Sequence, residues 1–186
     1  GMGKTTASNV FRRERIPVFD ADKVVWQILE RNDFVKEQIN NVFHGVVVNG
    51  LVNRGQLAEH VFSDDKALSK LEEILHPFVR NQQIKFLKSA AKSRRSLVVL
   101  DVPLLLETGG DKYCDAVAVV SAPPYLQKIR VMNRSGMTEE KFYGILRRQM
   151  DDSEKRRRAD FVIPTGLGKR LGLKHIKEII SFVRDV

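Results

Sequence analysis

Short apolar segments alternate with helical patterns along this chain, and that alternation constrains the fold more than any other feature. Four runs have the length of buried strands and are apolar at nearly every position: residues 16–19, 97–100, 116–120 and 161–163. Continuous apolar strands of this kind belong to parallel sheets that helices cover on both faces. The sequence therefore predicts an α/β fold built on a doubly wound parallel sheet.

Helical patterns fill the spaces between those runs. The predicted helices cover residues 5–15, 23–31, 34–43, 56–61, 65–92, 125–134, 138–149 and 171–185. Residues 32–93 contain no convincing buried strand, so they predict a helical insertion between two strands. Because proline cannot donate a helical hydrogen bond, Pro77 predicts a break or a new helix start near His76.

Composition limits the class of protein. The chain has 186 residues, and 32 basic against 23 acidic residues give a formal net charge of +9. That length suits one domain, with room for a small insertion. A single cysteine (Cys114), no apolar run near the roughly 20 residues that span a bilayer, and no visible signal peptide together predict a cytoplasmic protein. The basic excess favours an anionic partner, although the cluster at 155–158 beside acidic residues predicts only a solvated helix face.

The first six residues, Gly1-Met2-Gly3-Lys4-Thr5-Thr6, match the second half of a phosphate-binding loop. Glycines let backbone N–H groups turn towards a phosphate, and lysine supplies a charge to the β- and γ-phosphates. The Thr5 hydroxyl is placed to bind Mg²⁺, and the positive end of the following helix dipole adds to the attraction. The motif predicts binding of the ATP phosphates by Gly1, Gly3, Lys4, Thr5 and Thr6.

The full loop pattern has a leading glycine and a preceding strand, and neither stands before Gly1 here. The expectation is that the chain starts downstream of the true start, or that it is a damaged gene product. Gly1 ahead of Met2 also resembles a residue left by tag cleavage.

Two carboxylates, Asp20 and Asp22, follow the first predicted strand. Ligands of open α/β sheets bind beyond the carboxyl ends of strands. A carboxylate there suits general-base work on an acceptor hydroxyl, and we favour Asp22 for that role. The simpler alternative is capping of the next helix, which we favour for Asp20. Trp26, further along that helix, is predicted to lie in the core or to form the wall of an acceptor cleft rather than to stack on a ligand.

A pair of arginines predicts a lid. Arg130 and Arg134 are four residues apart, which places them on one face of the helix predicted over 125–134. A break at 135–137 precedes Thr138, whose hydroxyl can cap the next helix. Arginine binds transferring phosphate oxygens in a bidentate manner, so such a hairpin suits phosphoryl transfer. Surface ion pairing is the competing interpretation.

Taken in order, these motifs resemble the dephospho-CoA kinase family. The resemblance covers essentially the whole chain and rests on the loop, Asp20-Ala-Asp22, Leu75-His76-Pro77, the segment from Asp101 to Glu107, and residues 159–163. It implies phosphorylation of the 3′-hydroxyl of dephospho-coenzyme A with ATP and Mg²⁺, the last step of coenzyme A biosynthesis. It also implies a five-stranded parallel core. That core would comprise residues 1–31 and 94–186, with a lid at about 125–150 and a CoA-binding insertion at 32–93.

The resemblance also gives roles to individual positions. Lys4, Asp22, Arg130 and Arg134 would be catalytic, with Asp22 as the base. Mg²⁺ would be held by Thr5 and, through water, by Asp101. Binding of the acceptor would fall to seven residues: Asp20, Asp22, His76, Pro103, Leu104, Leu105 and Glu107.

The segment after the last predicted strand departs from the family pattern. An Asn and a Gly usually stand there beside the adenine of ATP, whereas residues 164–169 read Pro-Thr-Gly-Leu-Gly-Lys. No adenine-contacting residue is therefore predicted. Two other functions stay open: another small P-loop kinase acting on a nucleoside or nucleotide, and a non-catalytic remnant that binds nucleotides or RNA through its basic surface.

Overall fold

The structure is a computed structural model that describes residues 1–62 and 64–184 and divides into two compact units. The first unit contains Gly1–Val18 and the residues from Ser96 on, and the second contains Phe19–Arg95. In chain order the elements are α1 (Lys4–Arg13), β1 (Val18–Asp20), α2 (Ala21–Arg31), α3 (Asp33–Val42), β2 (Val47–Val48), β3 (Leu51–Val52), α4 (Arg54–Phe62), α5 (Asp65–Lys92), β4 (Val99–Asp101), a 3₁₀ turn (Gly110–Tyr113), β5 (Ala118–Ser121), α6 (Pro124–Met132), α7 (Glu139–Arg147), α8 (Asp152–Arg158), β6 (Phe161–Pro164) and α9 (Lys169–Arg184).

Parallel strand pairing is confirmed in the first unit. Strands β5 and β6 run parallel, with Ala118 opposite Phe161 and Ser121 opposite Pro164. At the start of β1, the Pro17 carbonyl accepts a hydrogen bond of 2.9 Å from the Val99 N–H of β4. The described strands thus form separate pairs rather than the single five-stranded sheet that the family resemblance implied.

The core of the first unit forms where α1 and α9 cover the strands. Its buried residues are Ala7, Val10, Phe11, Ile16, Ile163, Ile176 and Ile180. Apolar side chains recur at helical spacing on α1 and α9, which gives each helix one face to bury. The start of α1 is thereby held against strands whose carboxyl ends carry Asp101 and Thr165.

The second unit is almost entirely helical. Helices α2 to α5 share a core of Ile28, Leu29, Val35, Ile39, Phe43, Val46, Leu57, Leu71 and Leu75. This unit starts at Phe19, whereas the predicted insertion starts at residue 32. The difference arises because Ile28 and Leu29 of α2 pack with α3 and α5.

This unit also contains a small hairpin that was not predicted from the sequence. Strands β2 and β3 pair antiparallel, with Val47 opposite Val52 and Val48 opposite Leu51. The turn between them is Asn49-Gly50, and both residues have positive φ values, 51° and 73°. Asn-Gly is the preferred sequence for this tight turn. Two-residue strands are too short to show the alternation of apolar and polar residues that identifies a strand in a sequence.

The predicted break at Pro77 is wrong. Helix α5 runs unbroken over 28 residues from Asp65 to Lys92 with Pro77 inside it. Leu71 and Leu75 bury one face of the helix in the core, and Asp64 caps its start through Lys66 and Ala67. Together with the partly buried Phe78 and Val79 after Pro77, this packing outweighs the single hydrogen bond that proline removes.

Helix ends lie within two residues of the predictions, and α8 is an additional helix. The solvated helix face predicted at 155–158 is confirmed for Arg156, Arg157 and Arg158, whereas Lys155 is half-buried and pairs with Glu107. Glu154 pairs with Arg158 at 2.8 Å and also with Arg157, and all these groups lie at the surface. The last residue of the helix predicted over 171–185 lies outside the described residues.

None of the helices in the described part of the chain is long and apolar enough to cross a membrane.

Candidate active site

The turn from Gly3 into α1 forms the centre of the candidate site. Gly3 has φ = +103°, and its carbonyl accepts the first hydrogen bond of α1 from Ala7 at 3.1 Å. A Cβ at this position would lie 3.1 Å from Cγ2 of Thr165. Both the left-handed backbone and the close neighbour therefore require glycine here.

The first turn of α1 has the properties of an anion site. Gly3 has no side chain with which to cap the helix, and the first turn contains no acidic residue. The side chains of Thr5 and Thr6 are exposed. The N–H groups of a helix start lack partners within the helix and carry partial positive charge, so this turn can receive a phosphate.

Lys4 and Ser8, one turn apart on α1, both contact the carboxylate of Asp101 at the end of β4. Lys4 Nζ lies 2.9 Å from Oδ1, and Ser8 Oγ donates a hydrogen bond of 2.6 Å to Oδ2. Asp101 and Ser8 are buried, whereas about a third of the Lys4 side chain is exposed. The acid thus fixes the ammonium group beside the start of α1. Sequence reasoning missed Ser8, although its spacing of four from Lys4 places both on one helix face.

The donor set around Asp101 fits the predicted magnesium site. Oδ1 is buried and, within the described residues, accepts no hydrogen bond of good geometry. It forms an ion pair with the ammonium group of Lys4. A carboxylate oxygen in that state can accept from a metal-bound water. No group of three His, Cys, Asp or Glu in the described chain could hold a metal by itself. An ion here would depend on nucleotide phosphates and water for its other ligands, as Mg²⁺ commonly does.

Arg130 of α6 connects the loop with the segment that follows β6. Its guanidinium donates to the Gly1 carbonyl (3.3 Å), to the Thr165 hydroxyl (3.2 Å) and to the Thr165 carbonyl (2.8 Å). The Thr165 hydroxyl in turn donates to the Met2 carbonyl. Gly1 itself packs against Gln127 and Val131 of α6 so closely that a Cβ would clash. Arg130 therefore holds the backbone of the loop, and Thr165 is a second contact that sequence reasoning missed.

Arg134 lies in a different setting from Arg130. Helix α6 ends at Met132, so Arg134 falls in the turn after the helix and is exposed. The prediction that the two arginines share one helix face is wrong, because Asn133 already caps the helix. The second helix of the predicted lid does begin as expected: Thr138 accepts a hydrogen bond from the Lys141 N–H at 3.2 Å and caps α7.

Glu107 is the most constrained residue of the segment after β4. Its Oε1 accepts hydrogen bonds from the Met150 N–H (3.0 Å) and Lys155 Nζ (2.7 Å). Its Oε2 is buried and has no hydrogen-bond partner within the described residues. Burial alone would raise the pKa of Glu107, but the hydrogen bonds from Lys155 and the backbone bring it below its ordinary value. Pro103, Leu104 and Leu105 precede Glu107 in the same segment. The pairing of Glu107 with Lys155 was not predicted from the sequence.

The remaining predicted residues lie in the second unit. Asp20 caps α2, because its Oδ1 accepts from the Lys23 N–H at 3.0 Å, which confirms the capping interpretation. Asp22 is exposed in the first turn of the same helix. His76 is exposed on α5, next to Pro77.

Comparison with known proteins identifies the family. The family model for dephospho-CoA kinase matches residues 1–167. The chain belongs to the dephospho-CoA kinase family. It is 46% identical to a dephospho-CoA kinase from Agrobacterium fabrum over 97% of this chain and 92% of that protein. It is 45% identical to one from Brucella abortus over 97% and 90%.

Two solved structures resemble this fold. TT1252 from Thermus thermophilus has a TM-score of 0.81 and 32% identity, covering 97% of this chain and 91% of that one. A dephospho-CoA kinase from Campylobacter jejuni has a TM-score of 0.66 and 24% identity, covering 98% and 92%, and supports the fold alone. The family and the α/β fold of P-loop kinase type, both predicted from the sequence, are confirmed.

Proposed function

We propose that this protein transfers the γ-phosphoryl group of ATP to the 3′-hydroxyl of dephospho-coenzyme A, giving coenzyme A and ADP. The observation that carries the proposal is the contact of Lys4 with Asp101 at the glycine-initiated start of α1, in a chain of this family. Kinases of the P-loop type accelerate transfer mainly by positioning and by charge stabilisation, and this contact can supply both.

The loop residues bind the ATP phosphates in this proposal. The N–H groups at the start of α1, including those of Thr5 and Thr6, face the phosphate oxygens, and Lys4 contributes a point charge. Gly1 and Gly3 allow the backbone to approach closely. Arg130 and Thr165 hold that backbone in place through the Gly1 and Met2 carbonyls. Arg130 therefore acts as a positioning residue.

Mg²⁺ would be held by the Thr5 hydroxyl and, through water, by Asp101. The ion supplies charge that neutralises the phosphate oxygens during transfer. Ser8 fixes the Asp101 carboxylate through the 2.6 Å hydrogen bond, so that Oδ1 keeps a constant direction.

The reaction at the acceptor is an in-line displacement. The 3′-oxygen forms a bond to the γ-phosphorus while the bond from that phosphorus to the bridging oxygen of ADP breaks. Asp22 accepts the proton of the hydroxyl. Arg134, exposed after α6, places its guanidinium on the oxygens of the transferring group. Asp20 supports this arrangement by fixing the start of α2, the helix that bears Asp22.

The acceptor itself would be bound by His76 on α5 and by Pro103, Leu104, Leu105 and Glu107 after β4. The helical residues 32–93 then form the larger part of the CoA-binding region. Glu107 is ionised at neutral pH, because its pKa lies below its ordinary value, and its Oε2 oxygen is buried and accepts no hydrogen bond within the described residues.

The test is a coupled assay for ADP release with MgATP and a panel of acceptors: dephospho-CoA, nucleosides and nucleoside monophosphates. We expect turnover with dephospho-CoA and little with the others. Turnover that prefers a nucleoside or nucleotide would instead establish another small kinase. RNA binding that weakens with salt, without turnover of any acceptor, would establish a non-catalytic nucleotide-binding protein.

Asp22→Asn tests the base, and Asp33→Asn is its matched control, since both are acidic residues in the first turn of a helix in the second unit. Asp22→Asn should reduce kcat by about 100-fold or more while ATP still binds. Asp33→Asn should leave both unchanged. Loss of ATP binding in Asp22→Asn would show a role in metal binding or structure instead.

A further inference from the structure

A second, unassigned feature lies one turn along α2 from Asp22. Trp26 is 41% exposed, which excludes the core position that was one of its two sequence interpretations. The guanidinium carbon of Arg54 lies 4.1 Å from the centre of the Trp26 ring. No carboxylate in the described part of the chain pairs with Arg54, which is exposed.

Arg54 is held rigidly for an exposed arginine. It is the first residue of α4, and the preceding Asn53 side chain caps that helix by accepting from the Gly55 and Gln56 N–H groups at 3.1 and 3.2 Å. The Asn53 N–H donates to the carbonyl of the fully buried Val46 at 2.7 Å. The backbone is thus fixed to the core and the guanidinium is fixed on the indole. The Arg54 side chain therefore loses little conformational entropy when a ligand binds.

The stacking of Arg54 on Trp26 limits the class of ligand that this pair of residues can bind. Because the guanidinium covers a face of the indole, that face cannot stack on a nucleobase. The guanidinium retains N–H groups directed to solvent, and arginine binds phosphate oxygens through two such groups at once. The pair is therefore suited to a phosphate or diphosphate rather than to a base.

The position relative to Asp22 narrows the ligand further. Residues four apart on a helix lie on one face, separated by about one turn, ~5.4 Å. Helical side chains lean towards the N-terminus, so Trp26 leans towards Asp22. In dephospho-CoA the 5′-diphosphate begins on the same ribose whose 3′-hydroxyl would meet Asp22. A diphosphate on Arg54 and a hydroxyl on Asp22 are compatible with one bound ribose.

We propose that Arg54, held on the face of Trp26, binds the diphosphate of dephospho-CoA and so orients the ribose towards Asp22. This inference rests on the proposed function, and it makes Arg54 a specificity-determining residue. It explains why an acceptor with a diphosphate would be preferred over a nucleoside. The second unit would then bind the acceptor at two points: its diphosphate at Arg54, and its reacting hydroxyl at Asp22, one helical turn from Trp26.

The test compares Arg54→Gln and Arg54→Lys with the unmodified protein. Arg31→Gln is the matched control, because Arg31 is also exposed and lies at the end of α2. Arg54→Gln should raise the KM for dephospho-CoA by about 10- to 100-fold and leave the KM for ATP unchanged. Arg54→Lys should recover part of the loss, and Arg31→Gln should show none. An unchanged KM for dephospho-CoA, or an equal rise for ATP, would overturn the proposal.

Two further readouts separate this inference from its alternatives. Trp26 is the sole tryptophan of the chain, so its fluorescence reports on this site without turnover. Dephospho-CoA should change the emission of the unmodified protein and should do so at about 10- to 100-fold higher concentration in Arg54→Gln. Adenosine, tested as an inhibitor that competes with dephospho-CoA, should inhibit the unmodified protein and Arg54→Gln to the same extent, even if that extent is zero. Weaker inhibition of Arg54→Gln would show that Arg54 contacts the nucleoside instead. If the unmodified protein binds dephospho-CoA through Arg54 but does not phosphorylate it, the proposed function fails while this inference stands.

Discussion

Lys4 Nζ lies 2.9 Å from Oδ1 of Asp101, so the loop lysine and the acid at the end of β4 form one charged unit. The acid is almost fully buried, whereas the lysine is about one-third exposed. A buried carboxylate without its cation is costly, because the protein interior solvates charge poorly. The pair therefore links the stability of the first unit to the position of a group that the proposed reaction needs.

Removal of Lys4 should accordingly affect both stability and activity. Lys4→Met should lower the free energy of unfolding by about 1–3 kcal/mol and abolish turnover. The double variant Lys4→Met with Asp101→Asn should regain most of the stability and none of the turnover. Urea unfolding and the coupled assay measure the two effects.

The exposed pair of Lys174 and Glu178 on α9 provides the control, since Lys174→Met should change stability by less than about 0.5 kcal/mol. Equal stability losses in Lys4→Met and Lys174→Met would show that the Asp101 carboxylate is well solvated after all.

Thr165 should matter for nucleotide binding although it belongs to no recognised motif. Thr165→Val removes the hydroxyl that bonds the Met2 carbonyl and accepts from Arg130, which frees the loop backbone. We expect the KM for ATP to rise about tenfold and stability to fall by about 1 kcal/mol. Thr108→Val is the matched control, because within the described residues that hydroxyl bonds inside its own turn, to the carbonyls of Leu104 and Leu105. A similar rise in KM for both variants would refute the role of Thr165.

Gly3 offers a test of the loop turn. Gly3→Ala introduces a Cβ at 3.1 Å from Thr165 and also strains a backbone with φ = +103°. Gly136→Ala, at φ = +72° with nothing within 4 Å, suffers the strain alone, about 1 kcal/mol. Titration with ATP should show a loss of affinity of at least about tenfold for Gly3→Ala and none for Gly136→Ala. Unchanged ATP affinity in Gly3→Ala would mean that this turn does not shape the phosphate site.

The sequence was informative at several sites where the chemistry is local. The helix start beside Gly3, the Asp20 cap and the Thr138 cap each depend on neighbours within a few residues, and all three were predicted to within one residue. The family resemblance was likewise readable, since its motifs are short and ordered.

Contacts between distant segments could not be read in the same way. Nothing near Arg130 shows that its guanidinium would bond Gly1 and Thr165, and nothing near Glu107 indicates Lys155 as its partner. The continuity of α5 through Pro77 depends on Leu71 and Leu75 packing against other helices, so a local rule failed there.

Glu107 should make stability depend on pH in the acid range. Its pKa in the folded protein lies below the ordinary 4.5, so its pairing stabilises the fold above that value, and the contribution is lost as pH falls through the lowered pKa. Glu107→Gln should therefore cost about 2 kcal/mol at pH 7 and progressively less below pH 4.5. Urea unfolding across that range measures the difference.

Lys155→Met is the reciprocal control for this pH effect. It removes the main interaction that lowers the pKa and leaves burial, which raises it, so the pH dependence should weaken or reverse. A Glu107→Gln effect that stays constant between pH 7 and pH 3 would contradict the pairing.

Pro77 provides the last prediction, because a proline inside an unbroken helix removes the hydrogen bond to the Glu73 carbonyl. Pro77→Ala should restore that bond and raise the free energy of unfolding by about 1–3 kcal/mol. Asn81→Ala, exposed one turn later, should gain only about 0.5 kcal/mol from helix propensity. If the proline is kept for function, as the family resemblance suggests for His76 and Pro77, the more stable variant should have a higher KM for dephospho-CoA and an unchanged KM for ATP. A variant that loses stability would show instead that the neighbouring turns of α5 are shaped to fit the proline ring.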